Sequence, residues 1–446
     1  MANSEYTFDA IIIGGGPGGS SAAKTLAKAG KKVALISTEL GGECLNYGCI
    51  PTKIYLWTAE LLEKARMAGN FGIDISSANI NWQKLKEHKT KTVDKLRKAL
   101  KFSLETANVT LFTGLGKLED VHTVTIESNG NPQKITGEFI IIATGSEPIS
   151  IPGIETDGKH ILNNQQVLEL ADPPKSLLII GGGVISVEFA SIFSAFGTEV
   201  TIAEMSDRIL RGADPDTSAE IERVFARKNI KILKSTRTTL EQAKTFEKVL
   251  TAAGRKLNFN KLGLENAGIK TGKRAIETND FMQTNIPTIF AIGDAAGKAM
   301  LAYTADREGH IAAEKILEKS PQPINYDAIP YTIFSLPECA SAGQSEPELK
   351  QNSIDYVVGK SLMSANSKAL ITGNRDGFAK ILAEKSTGKI LGVHIVGEKA
   401  SELIAEASLA ISAGLTLKDF YNNLHSHPVL SETLQDACEK ALEMVK

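Results

Sequence analysis

The chain has 446 residues, of which 42% are hydrophobic and 23% charged, with a formal net charge of −2. That length and composition describe a globular protein of about three domains with a substantial core. A charge so close to neutral excludes a general nucleic-acid binder, which needs a clear surplus of Lys and Arg, and residues 1–7 carry no signal-peptide pattern.

Residues 10–37, AIIIGGGPGGSSAAKTLAKAGKKVALIS, predict an apolar strand, a glycine turn, a helix ending near Gly30 and a second strand. Residues 177–204, LLIIGGGVISVEFASIFSAFGTEVTIAE, repeat that plan without a gap. Gly14, Gly15 and Gly16 match Gly181, Gly182 and Gly183, Gly30 matches Gly197, and Val33 matches Val200. Each copy is a βαβ unit with the dinucleotide-binding fingerprint. Gly14 and Gly181 permit the tight turn, and Gly16 and Gly183 let the backbone approach a pyrophosphate. That anion then sits on a helix N-terminus, where free N–H groups and the helix dipole favour negative charge. Two copies predict two dinucleotides, or one dinucleotide and a relative.

Glu204 ends the second copy, 21 residues after Gly183. A carboxylate there accepts from a ribose 2′-hydroxyl and repels a 2′-phosphate, which favours NAD over NADP. The first copy has Ser37 in that place, with Glu39 two residues on; either Glu39 reaches back to the ribose or Ser37 makes a weaker contact. Ser186 takes the third glycine position of the second copy. The apolar run Leu177 to Gly197 is broken by Glu188 and three glycines, so it reads as strand, loop and helix and not as a membrane span. A cytoplasmic protein that binds neither membrane nor nucleic acid is expected.

Of four cysteines, Cys339 and Cys438 are isolated and read as small hydrophobes. Cys44 and Cys49 lie in a glycine-punctuated segment, Gly41 to Lys53, where a close pair in a reducing compartment is catalytic or metal-binding. Residues five apart in a regular helix are separated by about 7.5 Å of rise, whereas a disulfide wants Cα atoms within about 4.4–6.8 Å. A bridge therefore requires a break in the helix, which Asn46 and Gly48 allow. Pro51 suits the first turn of a following helix, which leaves Cys49 near an N-terminus that stabilises a thiolate, with Lys53 adding positive charge one turn on. Structural zinc needs two close ligand pairs, and the second pair on offer is His425 with His427, far along the chain; redox chemistry is the reading, with no metal.

The stretch Lys84 to Lys101 is basic and helically periodic and reads as a solvated face. A crossing between domains falls near Pro148–Pro152, Pro173 and Pro174 open the strand of the second repeat, and PQPINYDAIP at 321–330 reads as a linker. Strands at Ala379–Leu382 and Ile390–Val396 and a helix at Glu402–Ala413 suggest an α+β module. His88, His122, His160, His310 and His394 receive no role.

GGECLNYGCIPTK at 41–53, ATGS at 143–146, GGGVISVEFAS at 181–191, IFAIGD at 289–294, ANSKA at 365–369, LGVHIVG at 391–397 and HSHPVLSE at 425–432 run along nearly the whole chain. In this order and spacing they resemble the flavoprotein disulfide reductases. The resemblance implies an α/β fold with two Rossmann-like dinucleotide-binding domains, for FAD and NAD, and a C-terminal α+β dimerisation domain. The implied order is an FAD domain at 1–148, a shortened NAD domain at 149–270, a return to the FAD domain at 271–325 and an interface domain at 326–446.

The resemblance also implies site residues. Gly14, Gly16 and Gly19 cradle the FAD pyrophosphate, Ala143, Thr144 and Gly145 lie along the cofactor, and Asp294 contacts its ribityl–phosphate region. Gly181, Gly183, Glu204 and Gly254 belong to the NAD site. Cys49 is the thiol beside the flavin and Cys44 the interchange thiol. Lys53 stands near the reactive ring, paired with Glu188. His427 is the acid–base for the dithiol, oriented by Glu432, and faces the disulfide of a second chain in a C₂ homodimer. The implied activity is oxidation of dihydrolipoamide by NAD⁺, in association with a dihydrolipoyl acyltransferase core or a lipoyl carrier protein. A disulfide reductase with another substrate and a non-catalytic flavoprotein subunit are the alternatives. Three departures stand out: Ser37 replaces the family's usual glutamate, Ile230 to Val249 is short by about 15–25 residues, two strands and a turn, and Tyr303 stands where a histidine is common.

Overall fold

A computed structural model describes residues 6–128, 130–257, 259, 261–273 and 275–445. The chain forms two compact units. One comprises Met1–Thr52, Lys86–Ile149 and Arg255–Ile324, the other Lys53–Leu85, Ser150–Gly254 and Asn325–Lys446.

In the first unit, parallel strands run in the order Thr110–Thr113, Val33–Ser37, Phe8–Ile13, Gln133–Ile142 and Ile289–Ala291. Ile11 pairs with Ala34 on one side and Ile140 on the other. The long strand Gln133–Ile142 continues into an antiparallel ribbon with Thr123–Glu127 and Leu115–Leu118. The apolar run FDAIII is continuous because both faces of the sheet are covered. Ala10 and Ile12 join one core with Leu26 and Ile311, while Ile11 and Ile13 join the other with Val124 and Ile289. Helix Pro17–Lys28 lies so close to helix Ala302–Ile316 that a Cβ on Gly309 would come within 2.4 Å of the Gly18 carbonyl.

The second unit holds a five-stranded parallel sheet in the order Lys231–Leu233, Glu199–Ala203, Ser176–Ile180, Lys248–Thr251 and Ile161–Leu162. Between Leu233 and Lys248, all of it described, the chain makes turns and one short helix, Leu240–Ala243, with no strand. The same unit carries an antiparallel sheet ordered Tyr331–Ile333, Glu338–Gly343, Ile390–Gly397, Phe378–Glu384 and Tyr356–Leu362. Helices Ala400–Ser412 and Glu432–Leu442 pack on it around Ile381, Ile395, Ile404 and Leu434. The α/β architecture with two dinucleotide-type sheets and an α+β module is thus as the sequence implies.

The internal repeat extends to the backbone. Gly14 has φ +118° and Gly181 φ +111°, and the helices that follow, Pro17–Lys28 and Val184–Ala195, begin after Gly16 and Gly183 at matching extended angles. The basic stretch lies on helix Trp82–Thr106, with Lys84, Lys91, Lys95, Lys98 and Lys101 exposed as expected but Lys89 buried. No helix among the described residues is long and apolar enough to cross a membrane.

Gly359, on strand Tyr356–Leu362, faces helix Glu432–Leu442, and a Cβ there would lie 1.8 Å from the Ala437 carbonyl oxygen. Overpacking costs about 1–3 kcal/mol where backbone must shift. Gly359→Ala is therefore expected to lower the thermal unfolding temperature clearly. Gly69→Ala, which meets nothing within 4 Å, is expected to leave it within the range of surface substitutions; differential scanning calorimetry of the two variants checks this.

Candidate active site

The dithiol segment is built as the spacing argument requires. A short helix, Gly42–Asn46, stops at Tyr47, and a new helix, Cys49–Met67, begins two residues later. This break brings the Cα atoms of Cys44 and Cys49 to 4.7 Å, and the two form a disulfide. Both Tyr47 and Gly48 donate their N–H to the Glu43 carbonyl, at 2.9 and 2.7 Å, closing the turn between the helices. Cys49 is the first residue of its helix, where orphan N–H groups favour a thiolate.

Within the first unit this segment is seated on the first glycine turn. The Gly41 N–H donates to the Gly15 carbonyl at 2.8 Å, and a Cβ on Gly42 would meet Gly16 Cα at 3.0 Å. Asn46 donates to the Leu40 and Gly42 carbonyls, each at 3.0 Å, and accepts two bonds from the Arg97 guanidinium at 3.0 and 2.8 Å. Arg97 also pairs with Glu39 at 2.8 Å, and the Tyr47 hydroxyl donates to the same carboxylate at 2.5 Å. That bond, with burial, pushes the Tyr47 phenol up to about 12. Ser37 donates to the Glu39 carbonyl at 2.8 Å.

Arg255 organises a second set. Its Nε donates to Ser146 Oγ at 2.8 Å, one terminal nitrogen donates to the Ser146 carbonyl at 2.6 Å, and the other reaches Glu43 at 3.3 Å. Ser146 in turn donates to the Asp294 carboxylate. Ala143 takes its place in the same loop by donating its N–H to the Ile13 carbonyl at 2.8 Å, with Thr144 and Gly145 following, Gly145 at φ +69°. Asp294 and Glu43 thus share one cationic anchor.

The glycines sort by cause. A Cβ on Gly14 would strike the Ala143 carbonyl at 2.1 Å, and one on Gly19 the Gly14 carbonyl at 2.0 Å, so the fold itself demands both. Gly16 meets nothing within 4 Å, and no side chain caps the helix after it. Its missing side chain leaves open space in front of unsatisfied N–H groups, which fits a dinucleotide pyrophosphate. Gly183 repeats this in the second unit, open to 4 Å and uncapped, while a Cβ on Gly181 would strike the Ala252 carbonyl at 2.5 Å.

Glu204 stands at its strand end, accepting from the Gly182 N–H at 2.5 Å and the Ser206 N–H at 2.6 Å. The carboxylate therefore shapes the turn as well as facing it. Gly254 is exposed, at φ +127°, three residues after strand Lys248–Thr251. Lys53, one turn into the helix that starts at Cys49, donates to both oxygens of Glu188 at 2.9 Å. Glu188 is buried, its side chain 6% exposed, and also accepts the Phe334 N–H at 3.0 Å; the ammonium lies 4.5 Å from the Phe334 ring centroid. The ammonium thereby keeps a fixed position on its helix.

His427 is 69% exposed at its side chain, and its Nδ1 pairs with Glu432 at 2.8 Å. The other Glu432 oxygen accepts the Val429 N–H at 2.9 Å, and these two bonds hold its carboxyl below the ordinary value. With Nδ1–H directed to the carboxylate, Nε2 presents a lone pair outward. His425 differs: its side chain is 6% exposed and is held between Glu406 at 3.0 Å and Gln435 at 3.1 Å. No group of three or more His, Cys, Asp or Glu among the described residues could hold a metal.

Arg97 and Arg255 escaped the sequence reading, and Ser146, the last residue of the ATGS motif, received no role in it. Arg97 lies inside the stretch read as a solvated basic face, and Arg255 follows Gly254 with no pattern of its own; their partners come from remote segments, so only the folded chain reveals them.

The family model "Pyridine nucleotide-disulphide oxidoreductase" matches residues 8–309, and the model for its dimerisation domain matches residues 329–438. The chain is 39% identical to a dihydrolipoyl dehydrogenase of Chlamydia trachomatis, over 98% of this chain and 97% of that one. It is 36% identical to a dihydrolipoyl dehydrogenase of Bacillus subtilis, over 96% and 97%. A crystal structure of LpdA from Mycobacterium tuberculosis, 25% identical, superposes with a TM-score of 0.89 over 96% of this chain and 98% of that one.

Cys339 and Cys438 are free and buried, and burial first of all pushes each thiol up to about 12. In the folded oxidised protein neither is expected to react with a thiol reagent near neutral pH. Titration in guanidinium chloride should count two thiols per chain before reduction and four after; four before reduction would deny the Cys44–Cys49 bridge.

Proposed function

The chain belongs to the pyridine nucleotide-disulphide oxidoreductase family, and on that premise we propose that it is a dihydrolipoamide:NAD⁺ oxidoreductase. The observation that carries this reading is the Cys44–Cys49 disulfide at a helix start, seated directly on the first glycine turn. The first dinucleotide turn takes FAD, with Gly14, Gly16 and Gly19 at the pyrophosphate, Ser37 and Glu39 at the ribose end, Ala143, Thr144 and Gly145 alongside and Asp294 beyond. The second takes NAD, with Gly181, Gly183, Glu204 and Gly254. The division is an FAD domain at 1–148 with a return at 271–325, an NAD domain at 149–270 and an interface domain at 326–446.

In the dithiol half-reaction a substrate thiolate attacks Cys44 Sγ. The Cys44–Cys49 bond breaks and its electron pair stays on Cys49, where the helix N-terminus stabilises the thiolate. The second substrate thiol, deprotonated by His427, attacks the mixed disulfide at the substrate sulfur. Cyclic lipoamide leaves with Cys44 reduced. Glu432 holds His427 in the tautomer whose Nε2 accepts that proton, and in a homodimer this pair serves the disulfide of the other chain. Lys53, oriented by Glu188, supplies fixed positive charge one helical turn from Cys49. Bound FAD supplies the two-electron relay between the dithiol and NAD⁺. The working partners are a dihydrolipoyl acyltransferase core or a lipoyl carrier protein, and the compartment is the cytoplasm.

Anaerobic dihydrolipoamide is expected to raise a long-wavelength charge-transfer band in the flavin spectrum, which NAD⁺ then discharges. Absence of that band, or reduction by NADPH and not NADH, would sink the reading. Cys44→Ser should abolish dithiol turnover with flavin still bound, and His427→Gln should lower kcat by about 10²–10⁴-fold, read in steady-state assays.

A further inference from the structure

The second unit buries a charge cluster that the chemistry above does not use. Lys380, on strand Phe378–Glu384, has a side chain 1% exposed. It contacts Asp214 at 2.9 Å, Asp216 at 3.1 Å and Glu346 at 2.5 Å. Across the sheet Lys380 is in register with Lys360 on one side and His394 on the other. Lys360 also pairs with Asp216 at 2.9 Å, while His394 is buried, with Nε2 at the Gln344 carbonyl and Nδ1 without a partner. Burial opposes the Lys380 charge, yet Glu346 and Asp214 more than offset it and hold the ammonium above its ordinary value. Such an ion is strongly destabilising once its partners are gone, so its geometry is tightly set.

The cluster leads to the second glycine turn. Asp214 caps helix Pro215–Arg227, accepting the Asp216 N–H at 3.0 Å. One turn on, Ser218 Oγ donates to the Ile209 carbonyl at 2.7 Å and accepts from Arg208 at 2.9 Å. The next residue, Leu210, is buried with φ +51°, a conformation that a leucine holds only when its surroundings impose it. Its N–H donates to the Gly182 carbonyl at 2.7 Å. Ile209 lies beside the same glycine, 3.0 Å from where a Cβ would stand. Lys380, Asp214, Ser218 and Leu210 thus form a continuous path to the backbone of the Gly181–Gly183 turn.

We propose that Lys380 is a positioning residue for pyridine-nucleotide binding: through Asp214 and Ser218 it holds the strained Ile209–Leu210 loop that braces the Gly181–Gly183 turn. This rests on the reading that the second turn takes NAD. The dithiol and the first glycine turn lie outside the path, so the effect is confined to the nucleotide half-reaction.

The test uses the flavoprotein and three variants: Lys380→Met, Ser218→Ala, which leaves the ion cluster intact but removes the hydroxyl bond to the Ile209 carbonyl, and the double variant. NADH affinity is measured by equilibrium titration, and the dithiol half-reaction by the rate and amplitude of charge-transfer formation with dihydrolipoamide. Each single variant is expected to weaken NADH binding by about two- to thirty-fold with the dithiol half-reaction unchanged. The double variant is expected to lose less than the product of the two, as coupled positions do. Should Lys380→Met fail to fold, Ser218→Ala decides alone. Unchanged NADH affinity in Ser218→Ala, or parallel loss of both half-reactions, overturns the proposal. If wild-type protein binds no NADH, the reading of the second turn is what fails, and the proposal falls with it.

Discussion

Two cysteines five residues apart cannot bridge across a continuous α-helix, because the rise alone is about 7.5 Å. The disulfide at 4.7 Å Cα–Cα therefore depends on an interruption, and the local structure serves that interruption. Glu43 accepts two N–H groups where one helix stops, Asn46 ties the stopped helix to Leu40 and Gly42, and Arg97 clamps Asn46. Because the second helix starts afresh at Cys49, the N–H groups of its first turn lie at that sulfur, where they favour a thiolate. One geometric constraint thus yields both a closable bridge and a sulfur placed at a helix N-terminus.

The same economy appears in the glycine turns. Within each turn, one glycine is demanded by the protein's own backbone, at Gly14 or Gly181, while another, at Gly16 or Gly183, is demanded by nothing in the chain. A residue without a side chain, where the protein has room for one, points to something else using that room. The turn also positions the dithiol: Gly41 bonds to Gly15, and Gly42 lies against Gly16. The first glycine turn and the disulfide pair are therefore built on a common piece of backbone in the first unit.

Carboxylates shared between roles are a second theme. Glu204, at its strand end, spends both oxygens on the N–H groups of Gly182 and Ser206. Glu39 is held by Arg97 and Tyr47, and Glu188 by Lys53 and the Phe334 N–H. In each case the acid is held by two groups of the protein's own, which fixes the direction of its oxygens.

Much of this was legible in the chain itself. Apolar runs such as AIIIGGG and LLIIGGG specify strand and turn through short-range sterics, so the repeat, the helix starts and the need for a break between Cys44 and Cys49 follow from sequence alone. The pairing of His427 with Glu432, five residues apart, is local too, but the family resemblance and not the residues alone implied it. Tertiary structure alone decided which remote polar and charged groups meet. Arg97 with Asn46, Arg255 with Ser146 and Glu43, and Lys380 with Asp214 join segments 51 to 212 residues apart. A long-range hydrogen bond or ion pair needs only proximity in space and leaves no period along the chain, so a basic helix face could be recognised but its one clamping arginine could not.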